Sequence, residues 1–361
     1  MKRLFFLLAL VLFFNNTFAQ DSEDPGKGFG IPSKRGGIGF GNLKKFTGIR
    51  FNFKDKDVDK INGINTTIWT TKDESFQTGT VNGLSLGLPL AMGHDNQNGI
   101  SIGALGVATR GSLTGINIGV LGAGAGDNVT GLNIGGLGIG SGGDLRGITI
   151  GGLGAGSGGS VVGFNFGGLG IGAGDDLSGF TIGGLGVGSG GNVNGITIGG
   201  LGVGAGEDIN GFSFAVAGIG AGDHIRGVTI AGVGIGAGEE VKGITIAGVG
   251  IGSRKLTGLA VAAAVGGMDL KGIMIAPAWL RVGDRHKLDD GTWEVKEGTM
   301  TGLSISAYNR IKGEQRGVVF GVVNYAMRVK GVQFGLINII KENPRGLRVL
   351  PIFNTKFGRG N

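Results

Sequence analysis

A glycine-anchored period of sixteen residues runs through most of this chain. Gly131 opens the unit GLNIGGLGIGSGGDLR, and Gly195 opens the closely similar unit GITIGGLGVGAGEDIN. The same frame extends back to Gly83 and forward to Gly243. A fixed short period of this kind is typical of solenoids, in which each unit is completed only by stacking on its neighbours.

Shorter and less regular units flank the regular ones. Units of 14 or 15 residues follow at the C-terminal side, Gly272 opens a unit of thirty residues, and divergent units stand at both ends. Counting all of them predicts an all-β, glycine-rich β-solenoid of about nineteen coils with a 14–16-residue period. The single repeat domain is predicted over 48–361, with regular repeats at 83–257 and degenerate repeats at 258–361. The degenerate and divergent units open at Gly48, Gly63, Gly258, Gly272, Gly302, Gly317, Gly331 and Gly346.

The position of each residue in a unit predicts which side chains form the core. Residues two apart share a face of a strand, and glycine tolerates the corners between strands. With a corner at Gly199-Gly200, the large aliphatic residues are all expected to point inward, namely Ile196, Ile198, Leu201, Val203 and Ile209. The small polar residues at the third position are then expected on an outer face, either plainly solvated or as an ice-binding ladder: Asn117, Asn133, Thr149, Asn165, Thr181, Thr197, Ser213, Thr229 and Thr245.

An outer-membrane β-barrel is the alternative architecture. Each unit would then supply one strand of about ten residues, which fits a tilted membrane-spanning strand. The units GVVFGVVNYA and GVQFGLINII at Gly317 and Gly331 fit this best. The change of phase within the central units argues against it, because a lipid-facing strand alternates without interruption.

The first nineteen residues have the pattern of a secretory signal peptide. Lys2 and Arg3 precede an apolar run over residues 4–14, and Thr17 and Ala19 provide small residues before the cleavage point. The sequence therefore predicts a signal peptide over 1–19, a flexible N-terminal segment over 20–47, and export from the cytoplasm.

The C-terminal units resemble those of a family of bacterial surface-repeat proteins. The segments GVVFGVVNYAMRVK and GVQFGLINIIKENPRGLRVLPIFN resemble its short G-x-Q-x-G-L-x-N repeats. The sequence Phe18-Ala19-Gln20 around the predicted cleavage point resembles the end of signal peptides of Bacteroidota-type bacteria. The resemblance covers about residues 48–354 and implies a cell-envelope or surface location, without an established activity. Glycine at Gly138 and Gly202 stands where the family pattern has asparagine.

Composition excludes several kinds of site. The chain has no cysteine and 84 glycines among 361 residues, so disulfides and thiolate chemistry are absent. Its three histidines, His94, His224 and His286, lie in different units, and neither a metal site nor a cofactor is expected. The central repeats carry acidic residues at one turn, which predicts a solvated turn, with calcium binding as the alternative. Basic residues dominate elsewhere, yet the aromatic–basic pattern of nucleic-acid binding is missing.

One segment interrupts the repeat at residues 277–301. Asp290-Gly291 between HKLD and TWEV predicts a hairpin turn, and loops on a rigid scaffold often carry binding. The segment is predicted either to bind a partner or to pack on the rod as a cap. Its candidate partner-binding residues are Trp279, Arg281, Arg285, His286, Asp289 and Trp293.

These observations predict a non-enzymatic structural or adhesive protein of the cell envelope, outer membrane or cell surface. A porin-like or anchoring outer-membrane β-barrel is the alternative, and a polysaccharide-active enzyme would need paired carboxylates on an outward face. The expected partners are envelope glycan, a lipid surface, another envelope protein or a second copy of the chain. No nucleic acid is expected.

Overall fold

The computed structural model describes residues 25–70, 79–92, 95–287 and 293–357. The signal peptide predicted over 1–19 lies outside these residues. The described chain is an all-β solenoid of about 17 turns, which confirms the predicted fold class and comes close to the predicted coil count. The alternative barrel architecture is wrong, because equivalent strands of successive coils pair in parallel, as Val193 does with Ile209.

The N-terminal part contains six strands. They are β1 (Gly26–Ser33), β2 (Gly36–Leu43), β3 (Lys45–Asn52), β4 (Lys60–Thr67), β5 (Thr80–Gly87) and β6 (Leu90–Ala91).

The regular coils alternate a long strand with a short one. In order they are β7 (Asn96–Gly103), β8 (Gly106–Thr109), β9 (Leu113–Gly119), β10 (Gly122–Ala125), β11 (Val129–Gly135), β12 (Gly138–Ser141), β13 (Leu145–Gly151), β14 (Gly154–Ser157), β15 (Val161–Gly167), β16 (Gly170–Ala173), β17 (Leu177–Gly183), β18 (Gly186–Ser189), β19 (Val193–Gly199), β20 (Gly202–Ala205), β21 (Ile209–Ala215), β22 (Gly218–Ala221), β23 (His224–Ala231), β24 (Gly234–Ala237), β25 (Glu240–Ala247), β26 (Gly250–Gly252), β27 (Lys255–Val261) and β28 (Ala264–Gly267).

The C-terminal coils have longer strands and one short 3₁₀ helix at Arg345–Leu347. Their strands are β29 (Asp269–Val282), β30 (Asp284–Lys287), β31 (Trp293–Lys296), β32 (Gly298–Phe320), β33 (Val323–Ile340) and β34 (Val349–Thr355).

Three corners give each regular coil three faces. The first corner is the opening glycine: Gly195 has a φ of 107°, and a Cβ there would lie 2.3 Å from the carbonyl oxygen of Gly179 in the coil below, so only glycine fits. The other corners lie at residues 200–201 and 206–208. We call residues 196–199 and their equivalents the first face, 202–205 the second face, and 208–210 the third face.

Three files of inward side chains fill the rod. The second and third faces supply aliphatic residues, such as Val203 and Ile209, which are buried as predicted. The first face supplies small polar residues: Thr197 is fully buried, and so are its neighbours in the file, Thr181 and Ser213. We call this set the inward polar file.

The predicted orientation of the remaining aliphatic residues is therefore wrong. Ile196 is 45% exposed and Leu201 is 56% exposed, whereas the polar third-position residues predicted outside are buried. The cause is that the strand turns at Gly195 and keeps its alternation beyond it, so Thr197 and Gly199 point inward and the isoleucines between them point outward. The narrow interior takes small residues on the first face, since the third face already contributes a large one such as Ile209.

Antiparallel strands close both ends of the parallel stack. At the N-terminus β1 pairs antiparallel with β2, which pairs in parallel with β3. Residues 26–43 of the segment predicted to be flexible thus form two strands. At the C-terminus β34 pairs antiparallel with β33. Such caps cover strand edges that would otherwise recruit further strands.

An asparagine ladder replaces the aliphatic residues of the second face in the C-terminal coils. Asn309 Nδ2 donates to Asn324 Oδ1 at 2.8 Å, and Asn324 Nδ2 donates to Asn338 Oδ1 at 2.7 Å. Successive strand pairings connect Asn309 with Leu280 and, further along, with Val203. The residue that replaces asparagine in the centre is therefore the inward Val203 or Ile139, and not Gly202 or Gly138 as the sequence alignment suggested.

Candidate interaction surface

The outer side of the first face is apolar along the whole rod. Two side chains per coil point outward, and strand pairing aligns them into two files that continue through both capping hairpins. None of them is buried, and only Thr66 and Thr355 are not apolar. We call these two files the apolar face. The first file is Ile31, Ile38, Ile49, Ile64, Leu84, Ile100, Ile116, Leu132, Ile148, Phe164, Phe180, Ile196, Phe212, Val228, Ile244, Leu259, Ile273, Leu303, Val318, Val332 and Thr355; the second is Phe29, Phe40, Phe51, Thr66, Leu86, Ile102, Ile118, Ile134, Ile150, Phe166, Ile182, Ile198, Phe214, Ile230, Ile246, Val261, Ile275, Ile305, Phe320, Phe334 and Phe353.

Neighbouring side chains on the apolar face contact one another along the rod. The rings of Phe164 and Phe180 stack with centroids 4.6 Å apart and planes 7° from parallel. Such ladders cover part of each side chain, yet Phe164 remains 50% exposed and Ile148 47% exposed. The face is therefore an ordered surface on which every side chain stays at least partly exposed.

A third apolar file occupies the corner between the first and second faces. Its backbone follows the same ladder, as the N–H of Leu201 donates to the carbonyl oxygen of Leu185. We call this file the leucine corner; it widens the apolar surface, because the adjoining second face presents mainly glycine. Ala217 interrupts the file, and its large members in the regular coils are Leu105, Leu121, Leu137, Leu153, Leu169, Leu185, Leu201, Val233 and Val249, all between 45% and 59% exposed.

Charge is distributed unevenly around the apolar face. The residue before each corner glycine lies on the third face, one corner away from the apolar face, and is never acidic in the described coils. We call these residues the border file: Thr47, Asn62, Asn82, Asn98, Thr114, Thr130, Arg146, Val162, Ser178, Asn194, Asn210, Arg226, Lys242, Thr257, Lys271, Thr301, Arg316 and Lys330.

The acids of the central repeats lie further away, at the third corner and the start of the third face. Their carboxylates accept hydrogen bonds from the next coil: the N–H of Ser160 donates to Asp144 Oδ1 at 2.8 Å, which is the main cause that lowers the pKa of Asp144, and Arg146 adds to it. Burial opposes the ionisation of Asp208, but hydrogen bonds from Arg226 and His224 outweigh it and lower the pKa. These contacts link neighbouring coils, so the turn that was predicted as a solvated one also has a structural role.

The acidic turns do not gather into a metal centre within the part of the chain that the structure describes. No group of three or more histidine, cysteine, aspartate or glutamate side chains there is placed to hold a metal ion. His94 lies outside the described residues, as does the side chain of His286. His224 Nδ1 lies 2.9 Å from an oxygen of Asp208 on the neighbouring coil.

The insertion comprises fewer residues in the structure than the sequence predicts. Residues 279–282 belong to the second face and pair with Ala264–Gly267. The hairpin itself consists of β30 and β31, which pair antiparallel and leave the rod at the third corner. Its predicted turn at Asp290-Gly291 lies outside the described residues.

The six candidate binding residues are therefore divided between rod and hairpin. Trp279 lies on the rod, is 48% exposed and pairs in register with Tyr308. Arg281 also lies on the rod and reaches the base of the hairpin, with Nη2 2.5 Å from Asp284 Oδ1. The others belong to the hairpin, outside the described side chains: Arg285, His286, Asp289 and Trp293.

A cleft of about 270 Å³ lies near the C-terminal end. Glu314 and Arg328 line it, and both are engaged in ion pairs. Arg316 and then Lys330 hydrogen-bond to Glu314 and lower its pKa to about 2. The charges of this cleft neutralise one another across neighbouring coils, so they cross-link the third face.

A scan against family models and searches of curated proteins and solved structures found no match. Among the described residues, no helix has the length and apolar character needed to cross a membrane.

Sequence reasoning missed the apolar face because it assigned the large aliphatic residues to the core. One signal was present in the repeat itself. On the first face, small residues such as Thr197 and Gly199 alternate with large ones such as Ile198. A strand that presents its small residues to a narrow interior must present its large ones outside.

Proposed function

We propose that the protein is an exported, non-enzymatic structural or adhesive rod of the bacterial cell envelope. The observation that carries this proposal is the continuous outer surface: some 17 stacked turns repeat the same apolar face and border file from one cap to the other. A repeated surface suits many equivalent contacts along a line, whereas an enzyme concentrates different groups in one concave place.

The predicted signal peptide would direct export from the cytoplasm, and the resemblance to surface-repeat proteins agrees with a location in the cell envelope. The hairpin at the third corner supports an adhesive role, since it projects from a rigid scaffold on the side away from the apolar face. Envelope glycan or another envelope protein is the class of partner proposed for it.

Cell fractionation tests the proposed function. We expect the mature chain, beginning near Gln20, in the envelope fraction, and we expect its release to require detergent. Recovery of the chain in the cytoplasm with residues 1–19 retained would overturn the proposal. A second preparation should lack residues 284–296: loss of attachment to cells or glycan, with an unchanged circular-dichroism spectrum, would assign adhesion to the hairpin.

A further inference from the structure

The apolar face has an area that few monomeric proteins expose to water. With a spacing of about 4.8 Å between stacked strands, 17 turns extend over about 80 Å. Two files of side chains make a strip about 10 Å wide, so the face covers about 800 Å², before the leucine corner is added. The largest apolar patch of a typical monomer is about 300–600 Å² and usually marks an interaction site.

We propose that the apolar face binds a lipid surface, with the rod lying along the plane of the membrane. This inference rests on the proposed function for its location and names the partner that the rod contacts. Area alone fits a second copy of the chain equally well, because a stable dimer buries about 800 Å² per partner. Two further observations favour lipid.

The first is the composition of the face. A protein interface of ordinary size combines an apolar centre with about one hydrogen bond per 100–200 Å² and a polar rim. The apolar face offers two hydroxyls along its entire length, those of Thr66 and Thr355, and the hydroxyl of Thr355 already donates to the carbonyl oxygen of Gly331. Its strands alternate large apolar residues outside with small residues such as Thr197 inside, which is the alternation of a sheet whose outer side contacts lipid.

The second is the position of the charges. The border file, which adjoins the apolar face across the corner glycines, contains Arg and Lys but no acid. Arg146 is 59% exposed there, and Lys242 and Lys271 are exposed as well. The acids, such as Glu207, lie further from the apolar face, at the third corner and the start of the same third face, where Asp144 and Asp208 pair with Arg146 and Arg226. An interfacial protein has this arrangement, with bases at the level of the lipid phosphates and acids turned to water.

Vesicle flotation tests the proposal with the full mature chain. We expect it to float with phosphatidylcholine vesicles and to float more completely when phosphatidylglycerol is included. Replacing three outward residues of adjacent coils, Ile150→Thr, Phe166→Thr and Ile182→Thr, should lower the apparent affinity at least about tenfold. Threonine is a good strand former and already occupies this file at Thr66, so the circular-dichroism spectrum and melting temperature should stay unchanged.

A matched control introduces the same residue on the border file of the same region. Val162→Thr, Ser178→Thr and Asn194→Thr should leave binding to phosphatidylcholine unchanged. A third variant, Arg226→Gln with Lys242→Gln, should weaken binding to vesicles that contain phosphatidylglycerol and leave binding to pure phosphatidylcholine intact.

Equal flotation of the apolar-face variant and the native chain would overturn the proposal. So would a native chain that does not float, and light scattering then identifies the occupant: a dimer that the apolar-face substitutions convert to monomer would assign the face to a second copy. A chain that fractionates with the envelope in cells but does not bind vesicles would refute the lipid inference and leave the proposed function standing.

Discussion

Central and C-terminal coils fill the same narrow interior with different chemistry. In the centre the hydroxyls of Thr149, Thr181 and Thr197 are buried without a hydrogen-bond partner among the described residues. In the C-terminal coils the buried amides of Asn309 and Asn324 form a ladder with partners on both sides. The threonines are therefore suited to the space by size, whereas the asparagines are held by hydrogen bonds. Buried polar side chains therefore have two different structural roles inside the rod.

The largest expected effect comes from placing a charge in the inward polar file. Thr197→Asp should destabilise the central coils by about 3 kcal/mol or more, because the carboxylate would be buried without a basic partner. Denaturation in urea measures the effect.

Leu201→Asp, on the leucine corner, provides the matched control for that substitution. It should change the stability by less than about 0.5 kcal/mol, because the side chain is 56% exposed. Destabilisation by Leu201→Asp alone would mean that the two side chains have exchanged sides.

A smaller loss is expected where the asparagine ladder is cut. Asn324→Leu keeps a side chain of similar shape in a file that already contains Leu280. It removes the acceptor of Asn309 Nδ2 and the donors to Asn338 Oδ1 and to the carbonyl oxygen of Phe334. We expect a destabilisation of about 2–3 kcal/mol, measured by thermal or urea unfolding. An unchanged stability would show that these hydrogen bonds contribute no more than the central hydroxyls do.

The ion pairs on the third face of the C-terminal coils should contribute less. The pKa of Glu314 is lowered from 4.5 to about 2 by Arg316 and Lys330, so the folded state favours its charged form. The resulting stabilisation is fully present above pH 4.5 and is lost as the pH falls toward 2. Glu314→Gln should cost about 1 kcal/mol at neutral pH, since both bases are more than half exposed.

Unfolding curves at several pH values check this expectation. The difference between the native chain and Glu314→Gln should shrink on acidification below pH 4.5. If the difference in stability stayed constant down to pH 2, the effect of the substitution would not arise from the ionisation of Glu314.

The smallest effect is expected for Thr197→Val. Valine has the same shape and removes a hydroxyl that has no partner among the described residues. We therefore expect a change within about 1 kcal/mol of zero, with stabilisation the favoured sign. A loss as large as that of Asn324→Leu would show that the central hydroxyls are hydrogen-bonded in solution, and the contrast between the two regions would disappear.

The period and the fold class could be predicted from the sequence because glycine recurs at a corner that no other residue tolerates. The hairpin could be predicted from Asp290-Gly291 between two strand-like segments, as far as its paired strands go. Which side chains of each strand point inward could not be predicted, because Gly195 and the pair Gly199-Gly200 are equally plausible corners in the sequence. A one-residue error of phase moves every side chain to the other side of a strand.

The candidate surface was missed for a related reason. The rule that large aliphatic residues are buried assigned Ile196 and Ile198 to the core, although burial is a tendency of single residues and carries no information about the width of the interior. The border file was also hidden, because Arg146, Arg226 and Lys242 are sixteen or more residues apart and only stacking aligns them.

Single cysteines at adjacent positions test the central claim, that the first face presents its isoleucines outward and its threonines inward. The native chain has no cysteine, so Ile196→Cys and Thr197→Cys each carry one thiol. Ile196 is 45% exposed and Thr197 is fully buried. In the folded, lipid-free protein, a water-soluble maleimide should label Ile196→Cys nearly as fast as the unfolded chain and leave Thr197→Cys protected. Fast labelling of Thr197→Cys with protection of Ile196→Cys would contradict the account.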